Sequence, residues 1–146
     1  MNKELITNSP EETEKFGEEV ARYLAQSRQA PSFIALYGDL GVGKTAFVRG
    51  LASVIAPNSV VRSPTFAIVN EYRAEKISLF HFDMYRIEDE DELYSIGFYD
   101  YLDRGICVVE WSENIQFALP ESYLRIEISK TSVDRPDERK ISAQIF

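Results

Sequence analysis

A single cysteine, Cys107, excludes an internal disulfide, so stability rests on an apolar core, and a reducing compartment suits the chain. Cys107 stands in the apolar run Ile106-Cys107-Val108-Val109, which predicts a small buried thiol instead of a reactive one. A single histidine, His81, cannot build a histidine-rich metal centre, and no zinc-ligand cluster is present. The apolar runs are far shorter than the roughly 20 residues of a membrane-spanning helix, so no membrane partner is expected. The opening Met1-Asn2-Lys3-Glu4 leads into a polar segment instead of a secretory one, and a cytoplasmic location is the default expectation. Basic charge is also scarce. Lys and Arg number 16 against 24 Asp and Glu, giving a net charge of −8, which disfavours unaided binding to a phosphate backbone. One local exception, Arg125 with Arg135, Arg139 and Lys140, could touch a partner.

What is present begins with enough apolar material, 45% of 146 residues, to exclude general disorder and to build one domain spanning residues 1–146. Within it, Phe33-Ile34-Ala35-Leu36-Tyr37 reads as a buried strand and runs directly into Gly38-Asp39-Leu40-Gly41-Val42-Gly43-Lys44-Thr45. That octapeptide is a complete G-x-x-x-x-G-K-[ST] phosphate-binding loop. Phe47, Val48 and Leu51 follow at helical spacing from Ala46 onward, so the loop joins a strand to a helix N-terminus, where backbone N–H groups and the helix dipole favour a polyphosphate. Lys44 would reach the β- and γ-phosphates and the Thr45 hydroxyl would face a magnesium ion. No Asn-Lys-x-Asp guanine-reading segment occurs, so the chain lacks the usual reason to reject adenine.

The remaining elements follow from periodicity and punctuation. Ser9-Pro10-Glu11-Glu12 starts a helix with Ser9 as cap and Glu12 closing a capping box; it buries Phe16, Val20 and Leu24 and ends around Gln26 to Gln29. The loop helix runs from about Lys44 to Val54. Strands are predicted over Thr65–Tyr72, Ile77–Asp83, Ile106–Val109, Tyr123–Ile128 and Lys140–Phe146, with a hairpin across Ser132 to Arg139. The acidic stretch Glu88–Glu92 begins a short helix, and Tyr99–Asp103 forms another turn. Parallel strands around the nucleotide with antiparallel strands at one edge make an α/β fold, a single P-loop NTPase-like domain whose mixed sheet is flanked by helices.

A phosphate-binding loop works with a divalent ion, so a carboxylate is expected at the end of a neighbouring strand. Asp83 and Glu110 both qualify. Either could hold the ion while the other orients the attacking water; alternatively Asp83 caps a turn, and Glu110 pairs with Arg104 or Arg86. Ser63 and Thr65 lie in a short loop where a hydroxyl could sense the γ-phosphate through the ion. Trp111 could pack on the base or sugar, or plug a hydrophobic edge.

Four segments together, Gly38 to Thr45, Ser63-Pro64-Thr65-Phe66, His81-Phe82-Asp83-Met84-Tyr85-Arg86 and Glu110-Trp111-Ser112-Glu113, resemble the bacterial TsaE family, also called YjeE, in order and spacing. The resemblance covers about Glu11 to Ile128. It implies a small ATPase needed to form threonylcarbamoyladenosine at position 37 of transfer RNAs that read codons beginning with A, with TsaD and TsaB as partners and transfer RNA met only through their complex. It further implies that Lys44 binds phosphate, that Thr45 and Asp83 lie near the magnesium ion, that Thr65 belongs to a switch-like element, and that Glu110 with Trp111 completes the nucleotide site. Two other functions remain compatible with the residues alone: a small-molecule kinase, and a nucleotide-dependent binding module in which turnover is not required.

Overall fold

Apart from one short antiparallel hairpin, strand and helix segments alternate along the chain until the last third, where two long strands follow one another. In the computed structural model, which describes residues 1–65 and 67–146, the elements are β1 (Lys3–Thr7), α1 (Pro10–Gln26), β2 (Phe33–Tyr37), α2 (Lys44–Ile55), β3 (Val69–Tyr72), β4 (Ser78–Asp83), α3 (Glu90–Ser95), α4 (Phe98–Tyr101), β5 (Gly105–Glu110), a 3-10 segment (Ser112–Ala118), β6 (Leu124–Ser132) and β7 (Arg135–Ile145). Among the described residues the strands form one mixed sheet in the order β1-β7-β6-β2-β5-β4-β3. The central strands β6, β2, β5 and β4 run parallel, and β2, β5 and nearly all of β4 are buried. Parallel strands need both faces covered, which is why these segments read as continuous apolar runs.

Helices α1 and α2 cover one face over Ile34, Leu36, Leu79, Val108 and Ile126. The short helices and the 3-10 segment cover the other over Ala35, Phe80, Phe82, Cys107 and Val109. Burial pushes the Cys107 thiol up to about 12, so it is an inert core group. Sequence expectation and structure agree on α1, down to Ser9 accepting from the Glu12 N–H at 3.2 Å; Glu12 reaches back to the Asn8 N–H at 2.6 Å, one residue earlier than the standard box.

Three features depart from the expectation. Antiparallel strands occupy both edges: β3 on β4 at one side, β7 and β1 at the other. β1 was not foreseen because its residues are mostly exposed and gain their ladder bonds only from β7, at the far end of the chain. The strand expected from Thr65 begins only at Val69. Ile68 has φ +71° and its N–H donates to Pro64 O at 2.7 Å, so Ile68 is turned back toward Pro64 instead of extended; Phe66, expected in that strand, lies outside the described residues. The β6–β7 hairpin is tighter than expected, pairing Ser132 with Arg135 across Val133-Asp134.

Two glycines decide how close α1 and α2 approach. A Cβ on Gly17 would lie 2.2 Å from Phe47 O, and one on Gly50 would lie 2.0 Å from Glu14 O. Alanine at position 50 gains roughly 1 kcal/mol of helix propensity, but the overlap is with backbone, so the helices must separate. Overpacking typically costs about 1–3 kcal/mol or more. Gly50→Ala is therefore expected to lower the urea midpoint despite its better propensity, and Gly50→Val to lower it further; an unchanged midpoint for both would contradict this packing.

Candidate functional site

The sheet's connectivity assembles the site. Parallel pairing puts the C-terminal ends of β2, β5 and β4 along one rim, and the register sets Asp83 directly opposite Glu110 and Glu110 opposite Leu36. Register partners share a face, so both carboxylates leave the sheet on the side covered by α2. The loop from β2 crosses this rim and turns into α2 at Gly43, which holds φ +107° as the helix N-cap with no side-chain cap. That left-handed torsion is open to glycine at little cost, and it leaves the first amides of α2 free to face a ligand.

Leu40, Gly41, Gly43, Lys44, Thr45, Ser63, Thr65, Asp83, Glu110 and Trp111 line one cleft of about 360 Å³. Of the residues expected at the site, Gly38, Asp39, Val42 and Ala46 do not line it. Gly38 takes part through its carbonyl, Asp39 faces a neighbouring cavity, and Val42 and Ala46 are buried under the loop. Gly38 thus contributes its backbone, and Val42 and Ala46 contribute packing.

Lys44 is 6% exposed. Its Nζ donates to Gly38 O at 2.6 Å, lies 3.9 Å from Glu110 Oε1 and sits 4.2 Å from the centre of the Trp111 ring. Desolvation holds its pKa below the ordinary lysine value, with Glu110, Glu113, Asp83 and Asp39 pulling the other way. A cation kept there against desolvation is primed for a polyanion, which restores what burial removed. Trp111 has φ +58° and ψ +42°, an uncommon conformation for a large residue, and packs against Tyr85 at 5.0 Å between centroids. Its ring therefore lies between Tyr85 and Lys44.

Asp83 divides its two oxygens. Oδ1 accepts from the Tyr85 N–H at 2.8 Å, capping the turn after β4, and Oδ2 accepts from Thr65 Oγ1 at 3.2 Å, which is joined in turn to Ser63 Oγ at 2.7 Å. Turn cap and site group are thus one residue. Glu110, 4% exposed, pairs through Oε2 with His81 Nε2 at 2.5 Å. Arg104, expected as its alternative partner, lies instead over the Phe80 and Tyr101 rings.

Several contributors escaped the sequence reading. His81 is fully buried behind Glu110 and contacts Tyr72 Oη. Asn114 donates to Met84 O at 2.9 Å and Tyr85 O at 3.2 Å, tying the segment after Trp111 to the segment after Asp83. Arg139 donates to Val42 O at 2.8 Å and braces the phosphate loop from β7. The basic residues near the end find acidic neighbours at the surface: Arg125 pairs with Glu127, Arg135 with Glu138, and Lys140 lies 4.0 Å from Glu4. The spacing of His81 two residues before Asp83 could have signalled a shared face; the others had no local signal.

The profile of the family described as "Threonylcarbamoyl adenosine biosynthesis protein TsaE" matches residues 7–141. The chain is 38% identical over 137 residues to the tRNA threonylcarbamoyladenosine biosynthesis protein TsaE of Bacillus subtilis, covering 93% of this chain and 81% of that one. It is 45% identical over 113 residues to the protein of the same name from Aquifex aeolicus, covering 76% and 77%. The crystal structure of Bacillus subtilis YdiB superposes with a TM-score of 0.72 at 32% identity, covering 98% of this chain and 86% of that one. Profile, relatives and fold agree, and the chain belongs to the TsaE family of tRNA threonylcarbamoyladenosine biosynthesis proteins.

Proposed function

We propose that this protein binds and hydrolyses ATP with magnesium in the cleft above α2, as a single P-loop ATPase domain of the cytoplasm that acts on a TsaD–TsaB complex and meets transfer RNA only through it. The observation that carries this reading is the convergence of Lys44, Thr45, Asp83 and Glu110 on one cleft at the mouth of a glycine-rich loop. Thr45, Asp83 and Glu110 are hard oxygen donors, the set that suits magnesium, an ion that takes one or two carboxylates alongside phosphate oxygens. When bound there, the ion would neutralise charge between the terminal phosphates.

The chain's own groups do the rest. The amides of Gly41 to Thr45 and the N-terminus of α2 cradle the phosphates, and Lys44 exchanges the Gly38 carbonyl for a phosphate oxygen. Glu110, held from behind by His81, keeps Oε1 toward the cleft, where it can orient a water. Thr65 reports on the cleft through Asp83. Lys44 at rest is turned back on its own loop, and slow turnover before partners engage fits that posture. Exposed Leu40 at the tip of the phosphate loop and exposed Tyr85 beside Trp111 give a partner apolar contacts at the cleft's edge.

Reconstitution tests the reading. ATP hydrolysis and transfer RNA modification are measured together, with and without TsaD and TsaB, after titration with ATP, ADP, GTP and GDP. The expected result is adenine preference and hydrolysis that rises with the partners. A guanine preference would overturn the ATP assignment, transfer of label from ATP to a nucleoside or sugar would make the protein a kinase, and many rounds of modification with a non-hydrolysable analogue would make it a binding module.

A further inference from the structure

A buried chain of hydrogen bonds leaves the back of the cleft and returns to its front. Glu110 Oε2 meets His81 Nε2 at 2.5 Å, and His81 Nδ1 meets Tyr72 Oη at 3.1 Å. Tyr72 Oη then donates to Arg62 O at 3.1 Å and accepts from the Arg62 N–H at 3.3 Å, while Asn70 Nδ2 donates to the same carbonyl at 2.9 Å. His81 is 0% exposed and Tyr72 6%. Arg62 directly precedes Ser63, so the segment 62–65 is tied to the two acids by separate routes: Thr65 bonds Asp83, and Arg62 reaches Glu110 through two side chains.

We propose that Tyr72 and His81 are positioning residues that lock the Glu110 carboxylate and couple its placement to the backbone of residues 62–65. With Oε2 held by His81, Oε1 is the oxygen left facing Lys44 and the cleft. The tie is two-way by thermodynamic necessity. If occupying the cleft moves Glu110, residues 62–65 respond; if a partner moves residues 62–65, Glu110 responds. The link spans three strands, because Tyr72 ends β3, His81 is in β4 and Glu110 ends β5, and β3 is the edge strand whose loop carries Arg62. Buried polar groups of this kind are costly to leave half-paired, so the network adopts its arrangement as a unit.

The catalytic side of this inference rests on the ATPase reading, and the test separates the two. Amide hydrogen exchange at Arg62, Ser63 and Thr65 is measured in the nucleotide-free protein and in Tyr72→Phe, His81→Asn and Glu110→Gln, and the ring-nitrogen resonances of the imidazole in all of these but His81→Asn. His81 is the chain's only histidine, so its ring signals need no assignment. Tyr72→Phe is expected to move the Nδ1 resonance and speed exchange at Arg62 by about tenfold. Glu110→Gln, which makes no direct bond to the segment, is expected to move Nε2 and speed the same amides severalfold. In hydrolysis assays Tyr72→Phe is expected to lower kcat by about tenfold with KM little changed. Unchanged exchange at 62–65 in both Tyr72→Phe and Glu110→Gln would overturn the coupling even with full ATPase activity. Should His81→Asn fail to fold, the other two variants still decide. If the wild type hydrolyses no ATP, the ATPase reading falls, and the exchange and resonance data decide the relay by themselves.

Discussion

Lys44→Ala is expected to reduce ATP turnover by roughly 10²–10³-fold, the scale on which a preorganised donor aimed at developing charge is felt. The substitution removes the mobile cation of the cradle and leaves the α2 amides to hold the phosphates alone. It is also expected to leave the urea midpoint close to that of the parent. Burial already disfavours the Lys44 ammonium, so the folded state gives up an unfavourable desolvation along with the bond to Gly38 O. Loss of turnover without loss of stability distinguishes a phosphate ligand from a core residue. Nucleotide affinity by titration, turnover by phosphate release and stability by urea check the three parts. Parental turnover in the variant, or loss of activity that tracks unfolding, would refute the role.

Removing charge from the two acids while keeping their shape is the second large effect. Asp83→Asn can keep an oxygen for the Tyr85 N–H, so the turn is spared while the anion is lost, and Glu110→Gln keeps the side chain's size while removing the anion and weakening its bond to His81. Turnover is expected to fall by about 100-fold or more in each, the range for a positioned acid–base group. Adenine affinity measured without magnesium is expected to hold, because neither carboxylate belongs to the loop amides. Magnesium dependence of nucleotide binding separates the two residues: the one that holds the ion shifts the magnesium midpoint, and the one that orients water lowers turnover at saturating magnesium. Parental rates for both variants would show that the acids sit at the rim without acting there.

Much of this was legible before any coordinates because it is local. Phe33 to Thr45 carries its strand, its turn and its helix start in thirteen consecutive residues, each set by burial, by positive φ or by helix geometry, and the structure has β2 and α2 where the pattern puts them. Asp83 and Glu110 could be nominated for the same reason: each closes an apolar run, and a carboxylate that follows a buried strand must emerge at its end. Ser9 with Glu12 announced α1 through a cap that spans three residues.

What the sequence could not supply was pairing. Whether Asp83 and Glu110 meet depends on β4 and β5 lying adjacent, parallel and in the register that sets the two side by side, and that choice is made by packing across the sheet. Ile68 defeats strand periodicity because it takes a left-handed torsion, and Thr65 bonds Asp83 instead of entering the sheet, a tertiary contact that overrides β preference. Tyr72 and His81 read as ordinary strand residues until β3, β4 and β5 stand together, and Arg139 reaches Val42 over 97 residues. The sequence by itself determined the phosphate loop, the apolar strands and the identity of the acids, because those depend on neighbours within a few residues. The tertiary structure alone decided the edges of the sheet, the distance between the carboxylates and the buried ties behind them, because each is a bond between segments whose separation in the chain carries no trace of their contact.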